Sequence, residues 1–200
     1  MLDPLPWPSV LPSTLVRITN GRKYCSGVLI TPTEVLTCAH FFRDLRYHTY
    51  LWVAGVRRVP REIETIPGTD LAIVHVPTIT HVAPEDMPQI GPTPAPLTQT
   101  VTVGFGGTVR GRGSFRMRRG RFLLRSPIAV SRGMATVVRP AGFIFNYNPA
   151  IKGDSGGPVF ADGRVIGVQS LIVDPAGINL HVAATALLEP LAGRWHTPQD

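Results

Sequence analysis

Long apolar runs and an export leader are both missing from this sequence of 200 residues. It contains no run of about 18 apolar residues, so we expect no membrane-spanning helix. Its first segment, MLDPLPWPSVLPS, has neither the basic start nor the apolar centre of a signal peptide. If Met1 is the native start, the expected location is intracellular; if the chain is a trimmed mature form, secretion stays open.

Cysteine is scarce, because Cys25 and Cys38 are the only two in the chain. So small a disulfide complement weakens the case for an extracellular protein. We favour two buried thiols, although a bridge between them stays open if the geometry allows it. The six histidines form no cluster with Cys, Asp or Glu at metal-ligand spacing, so we predict neither a metal nor a cofactor.

Acidic residues are absent from Met87 to Gly153, a region that carries nine arginines and Lys152. The densest part is the arginine-rich stretch 110–132. Such a stretch could contact nucleic acid, an anionic membrane or another acidic partner. A solvated face whose arginine stems cover apolar surface explains it more simply, and two phenylalanines are thin support for base stacking.

The composition favours a packed β protein. Glycine and proline number 20 each and 44% of the residues are hydrophobic, which is unlike both helical and disordered proteins. Valine-rich runs separated by turn residues predict an all-β architecture. The one long helix that we predict lies near the end, in HVAATALLEPLAG, residues 181–193.

The segment Gly153-Asp154-Ser155-Gly156-Gly157 fits two templates for a nucleophilic serine. One is the elbow of α/β-hydrolases, which needs a helix after the serine and then an acid and a histidine. Two glycines and a proline begin a helix poorly, and the apolar runs around Asp162-Gly163 indicate a hairpin instead. The second template is a peptidase loop in which the N–H groups of Gly153 and Ser155 meet at an oxyanion.

A serine nucleophile needs a base and an acid that orients the base. His40 comes just after the predicted strand Val35-Leu36-Thr37, and Asp70 precedes the apolar run 71–74. The chain order histidine, aspartate, serine is the one found in chymotrypsin and in neither of the other two known triad orders.

At these residues the chain resembles the chymotrypsin/trypsin-like serine peptidase family. The matching segments span about 145 residues in the family's order: CSGVLI (25–30), TCAH (37–40), DLAI (70–73), VGFGG (103–107), GDSGGP (153–158) and GVQS (167–170). The resemblance implies two antiparallel Greek-key β-barrels with a short C-terminal helix. Residues 1–90 would form the barrel carrying His40 and Asp70, and residues 91–200 the barrel carrying Ser155.

The resemblance also implies a role for each site residue. Ser155 would attack a peptide bond, His40 would take its proton, and Asp70 would orient His40. Family members usually pair the aspartate at the Asp154 position with a new N-terminus released by cleavage. No Ile-Val-Gly-Gly segment occurs here, so we expect an internal arginine or loop donors to anchor Asp154, or else a chain that stays dormant until a partner orders the loop.

Substrate preference follows from the residues that match the family's specificity pocket. Pro149 stands where trypsin-like members carry an aspartate, so a cationic P1 side chain would be unpaired. Ser170 matches the start of the substrate-pairing strand, Ile172 narrows the entrance and Gly177 matches the opposite wall. We therefore expect a small or medium aliphatic P1 residue, with an acidic P1 residue drawn by Lys152 as the competing hypothesis.

Two other functions stay open at this point. A protease-like scaffold without catalysis would be a binding module for protein or nucleic acid, and unreactive Ser155 would distinguish it. The hydrolase elbow would make the chain an esterase, which is the weakest of the three interpretations.

Overall fold

The structure, a computed structural model, describes residues 11–45, 47–107 and 114–195. Within these residues the regular secondary structure is mostly antiparallel strand. Five single turns of 3₁₀ helix and one short α-helix complete it: α1 (Leu11–Thr14), Ala39–Phe42, Pro84–Asp86, Arg132–Met134, Pro175–Gly177 and Glu189–Leu191. Among the described residues no helix is long and apolar enough to cross a membrane.

The first half of the chain forms one open sheet of seven strands in the order β5-β4-β1-β2-β3-β7-β6. Its strands are β1 (Leu15–Asn20), β2 (Lys23–Thr31), β3 (Glu34–Cys38), β4 (Thr49–Val53), β5 (Val56–Arg58), β6 (Glu62–Thr65) and β7 (Leu71–His75). The valine- and leucine-rich runs of β3 and β7 are buried, as expected for strands in the middle of a sheet.

The second half closes into a six-stranded barrel in the order β12-β15-β14-β13-β8-β9. These strands are β8 (Gln99–Gly104), β9 (Arg116–Ser126), β12 (Ala141–Asn146), β13 (Pro158–Ala161), β14 (Arg164–Ile172) and β15 (Val182–Leu187). A two-stranded ribbon, β10 (Ala129–Val130) with β11 (Val137–Val138), lies beside the barrel. The predicted all-β fold is therefore confirmed, with a half-barrel sheet followed by a closed barrel.

The hairpin predicted after the serine loop is present. Strands β13 and β14 pair antiparallel, and the turn residues Asp162 and Gly163 have φ angles of +47° and +74°. Positive φ at both central positions is the signature of a type I′ turn, whose twist matches that of the flanking strands. The serine is thus followed by a strand and not by a helix, which removes the basis of the esterase interpretation.

The long helix predicted over residues 181–193 is wrong. Strand β15 occupies Val182–Leu187, and in the described residues up to 195 it is followed by the single turn Glu189–Leu191. Alanine and leucine favour helices, but β15 closes the barrel by pairing with β12 on one side and β14 on the other. Barrel closure leaves no sheet edge unpaired, and this outweighs local helix propensity.

The main apolar core joins the two sheets. It combines Leu15, Val28 and Leu36 of the first sheet with Val101 and Phe160 of the barrel. Where the two sheets meet, the end of β3 lies beside the loop that precedes β13, and Ser170 of β14 contacts Asp70, the residue before β7.

Candidate active site

His40 and Asp70 are neighbours because β3 and β7 pair antiparallel, with Cys38 opposite Leu71. The residues just after β3 therefore lie beside the residue just before β7. The backbone N–H of Ala39 donates to the Asp70 carbonyl at 3.0 Å, and that of His40 donates to Asp70 Oδ1 at 2.8 Å. His40 Nδ1 lies 2.8 Å from Asp70 Oδ2. The ring is thus held in the tautomer that keeps hydrogen on Nδ1 and leaves Nε2 as the acceptor.

The Asp70 carboxylate is fully buried, while the His40 side chain is 23% exposed. The Ser170 hydroxyl also donates to Asp70 Oδ2. Burial of the ring lowers the pKa of His40, but the Cys38 sulfur and the Asp70 carboxylate raise it, and the net direction is upward. Because burial raises the pKa of the Cys38 thiol well above its usual range, the sulfur is neutral near pH 7, and Asp70 provides the upward shift there.

Both cysteines are free and buried. Cys38 Sγ lies 3.8 Å from His40 Nε2, the atom that would accept a proton from a serine. Within the described residues no hydrogen bond joins His40 Nε2 to Ser155 Oγ. Such bonds are often long in the absence of substrate and tighten only in the complex.

Within residues 151–157 the backbone N–H groups of Lys152, Gly153 and Ser155 have no acceptor among the described residues. The backbone N–H groups of Asp154, Gly156 and Gly157 all donate to carbonyl oxygens, at 3.1, 2.7 and 2.9 Å. Those of Gly153 and Ser155 donate to no acceptor in the part of the chain that the structure describes. An oxyanion site requires donors that are left free in this way, as the N–H groups of Gly153 and Ser155 are. Gly153 has φ +99°, and a side chain there would overlap the Tyr24 ring.

Asp154 is anchored from three directions while only 1% exposed. Arg118 Nε donates to Asp154 Oδ2 at 2.7 Å, as does the backbone N–H of Ile151 at 2.9 Å. The backbone N–H of Gly106 donates to Asp154 Oδ1 at 2.9 Å. A side chain at Gly106 would overlap this carboxylate. An internal arginine and loop donors therefore hold Asp154, which is the first of the two arrangements expected from the sequence.

The serine loop is also tied to the first sheet. The backbone N–H of Ser26 in β2 donates to the Ser155 carbonyl at 2.8 Å. A side chain at Gly156 would come within 3.0 Å of the Cys38 backbone nitrogen, two residues before His40. The structure thus places the loop that carries Ser155 beside the strand end that precedes His40, and His40 in turn contacts Asp70.

The predicted specificity residues differ in how far they are buried. Pro149 and Ile172 are partly buried and Lys152 is exposed. Ser170 is buried, and its hydroxyl contacts the Asp70 carboxylate. Gly177 lies in an exposed turn, where a side-chain β-carbon would have no atom of the described residues within 4 Å. On the neighbouring strand Ile172 pairs with Ala183, and the assignment of Gly177 to the opposite wall of the pocket stays a prediction.

The arginines of the basic region contact different partners. Arg118 is buried at Asp154, Arg121 donates to the Leu97 carbonyl at 2.9 Å, and Arg125 makes an ion pair of 2.7 Å with Glu189. Arg110 and Arg112 lie outside the described residues. No group of three His, Cys, Asp or Glu side chains in the described ranges could hold a metal ion.

Two residues of the site were not identified from the sequence. The first is Arg118, although alternation along β9 places it on the same face as the buried Phe122, and this period-two pattern could have singled it out. The second is Ser26, for which the sequence offers no comparable signal, since its partners are distant in the chain.

The sequence is similar to those of known peptidases. Residues 13–187 match the family model described as Trypsin. An uncharacterized peptidase of Corynebacterium glutamicum (strain R) is 25% identical over 169 residues, which are 83% of this chain and 60% of that protein. The chain therefore spans about 60% of the length of the curated relatives it matches.

Solved structures share the fold at low identity. The MamO protease domain from Magnetospirillum magneticum has a TM-score of 0.73 and 20% identity, with 94% of this chain and 99% of that chain covered. The active form of the Rv3671c protease from M. tuberculosis has a TM-score of 0.71 and 22% identity, with 93% and 82% covered. Its inactive form has the same TM-score and 21% identity, with 94% and 90% covered, so likeness of fold leaves the catalytic state open.

Proposed function

Because the chain belongs to the trypsin family of serine peptidases, we propose that it is a serine endopeptidase that works through an acyl-enzyme intermediate. Ser155 Oγ attacks the carbonyl carbon of the scissile peptide bond. His40 Nε2 takes the hydroxyl proton and then gives it to the leaving amine. A water molecule attacks the acyl-enzyme with the same assistance and releases the second product. Asp70 holds the imidazole tautomer and stabilises the imidazolium.

The oxyanion of each tetrahedral intermediate is held by the N–H groups of Gly153 and Ser155. Neither N–H has an acceptor in the described residues, while those of Asp154, Gly156 and Gly157 are bonded, and this is the observation that carries the proposal. Removing one preorganised donor of this kind typically lowers the rate by a factor of ~10²–10³. The His40–Asp70 pair at the same end of the cleft supports it further.

A fluorophosphonate probe tests the proposal, because it reacts only with an activated serine. We expect it to label Ser155, and both labelling and peptide cleavage to disappear in Ser155→Ala and His40→Ala. Ser126→Ala is the matched control, since the Ser126 hydroxyl bonds the Ile128 carbonyl in the barrel wall. Labelling that persists in Ser155→Ala contradicts the proposal. A wild-type protein that is neither labelled nor active, before or after trimming, also contradicts it and favours a binding module.

We also propose that the uncleaved chain is competent. Family members that need processing use a new positive N-terminus at the aspartate before the serine, and here Arg118 supplies a positive charge to Asp154. Activity measured together with intact mass tests this. Full-length protein should be active, whereas activity that appears only after trimming would favour the dormant form.

The P1 preference that the pocket supports best is a small or medium aliphatic residue. Ala150 is buried and Pro149 and Ile172 are partly buried, and none of the three offers a carboxylate. Lys152 is exposed, and an exposed charge attracts weakly. A peptide library scanned at P1 decides the matter: cleavage after Ala, Val or Leu supports the aliphatic pocket, and cleavage mainly after Glu, Lys or Arg overturns it.

A further inference from the structure

Ser26 occupies the contact between the first sheet and the serine loop, although it lies in β2, far from Ser155 in the chain. It is completely buried. The backbone N–H of Phe105 donates to Ser26 Oγ at 2.9 Å, and Ser26 Oγ donates to the Gly153 carbonyl at 2.7 Å. One hydroxyl thus bridges two backbone segments of the barrel from a strand of the other sheet.

The direction of this bridge is fixed by its two backbone partners. An amide N–H can only donate and a carbonyl can only accept. The single hydroxyl hydrogen of Ser26 must therefore point to Gly153, while a lone pair receives Phe105. The Gly153–Asp154 peptide is held at both ends, since the Asp154 N–H donates to the Ile151 carbonyl at 3.1 Å.

The loop needs such a restraint because Gly153 has no side chain to limit its backbone. Phe105 and Gly106 supply consecutive N–H groups, the first to Ser26 and the second to Asp154. The same segment therefore steadies the loop at two adjacent residues. Arg118 and Gly106 hold the Asp154 side chain, and Ser26 holds the peptide that precedes it.

We propose that Ser26 is a positioning residue, whose hydroxyl fixes the Gly153–Asp154 peptide so that the N–H groups of Gly153 and Ser155 stay directed at the oxyanion. The inference rests on the proposed peptidase function for its kinetic consequence. Ser26 itself touches neither the substrate nor the reacting atoms, so its removal should weaken transition-state binding and leave ground-state binding unchanged.

The test compares Ser26→Ala with Ser131→Ala. The Ser131 hydroxyl also accepts a backbone N–H, from Thr136 at 2.8 Å, but among the described residues Ser131 makes no hydrogen bond to residues 151–157. Ser26→Ala should lower kcat by ~10²-fold, the scale of one lost oxyanion donor, with KM nearly unchanged. Affinity for a peptidyl boronate, which mimics the tetrahedral intermediate, should fall by a similar factor, while affinity for the product peptide holds. Ser131→Ala should change none of these.

Equal losses of kcat and product affinity in Ser26→Ala, or kinetics equal to those of wild type, overturn the inference and leave the peptidase proposal standing. If Ser26→Ala does not fold, Ser26→Cys keeps a weak donor of similar shape and should show a smaller loss of kcat in the same direction. If wild type proves inactive, crystal structures of wild type and Ser26→Ala decide. An unchanged Gly153–Asp154 peptide in the variant overturns the inference, and a rotated one supports it.

Discussion

The two carboxylates at the cleft, Asp70 and Asp154, are equally buried but are neutralised in different ways. Asp70 is 0% exposed and faces the ring of His40, whose charge depends on protonation. Asp154 is 1% exposed and faces Arg118, whose charge is permanent. A partner whose charge changes suits a carboxylate that stabilises the imidazolium formed when His40 takes a proton. A permanent partner suits one that only has to hold a loop, and this contrast separates the reacting part of the site from its frame.

Replacing Asp70 should have the largest effect. In Asp70→Asn the amide can present hydrogen to His40 Nδ1, which favours the tautomer with hydrogen on Nε2 and removes the base. We expect kcat to fall by ~10⁴-fold, as in the well-studied triad, with little loss of folding stability. Steady-state kinetics and denaturant unfolding on the same sample check both expectations. A fall of less than about tenfold would mean that Asp70 does not orient the base.

Removing the partner of Asp154 should act mainly by lowering the free energy of unfolding. Arg118→Met leaves a buried carboxylate without its cation, and breaking a buried pair in this way typically costs ~3–5 kcal/mol. The control is Arg119→Met, because Arg119 is the exposed neighbour on the same strand. Urea unfolding should separate the two variants clearly. Equal stability of both would show that the backbone N–H groups alone suffice for Asp154.

The pH dependence of activity and of stability should run in opposite directions at His40. Its pKa is raised above the ordinary 6.5, and only the neutral ring can act as a base. Activity should therefore rise with pH, with a midpoint above pH 6.5. The stability that the His40–Asp70 pair contributes is complete below pH 6.5 and is lost as pH rises through the folded pKa.

Measurements of kcat/KM against pH in wild type, and of urea midpoints against pH in Ser155→Ala, check this sign. In Asp70→Asn the activity midpoint should move to lower pH. An activity midpoint below pH 6.5 in wild type would contradict the upward shift.

The smallest expected loss of stability concerns a partly exposed network of ion pairs around Arg194. It contrasts with the buried ion pair of Arg118. Arg194 pairs with Glu64 at 2.8 Å and with Glu34 at 3.1 Å, and Trp195 Nε1 also donates to Glu34 at 2.8 Å. Arg194→Ala should destabilise the fold by at most ~1 kcal/mol, because water screens such pairs. A loss as large as that of Arg118→Met would mean that this contact of the C-terminal segment with the first sheet is essential to the fold.

Much of the site could be predicted from short segments. The serine loop, the order His40, Asp70, Ser155 and the Asp162-Gly163 hairpin all follow from local chemistry, because glycines and turn residues specify backbone conformation where they stand. The position of the base and acid at strand ends also follows, since buried runs mark β3 and β7. These features depend on neighbours in the chain and need no knowledge of distant contacts.

The helix wrongly predicted near the end of the chain shows the opposite case, in which contacts distant in sequence decide the local structure. Residues 182–187 have helix-forming composition, yet both of their pairing partners lie elsewhere in the barrel. The deciding interactions join residues far apart in sequence, which composition and spacing do not report.

By itself, then, the sequence determined the all-β class, the identity of the nucleophile loop and the residues of the proposed triad, because these are encoded in local backbone preferences and residue chemistry. Only the tertiary structure decided which of the nine arginines between Met87 and Gly153 meets Asp154 and which hydroxyl meets Gly153. Arg118 reaches the carboxylate because β8 and β9 pair with Thr102 opposite Arg118, and Ser26 reaches the loop because the two sheets pack against each other. Burial makes each of these long-range contacts decisive, since a polar group in the interior must find its partner within the protein.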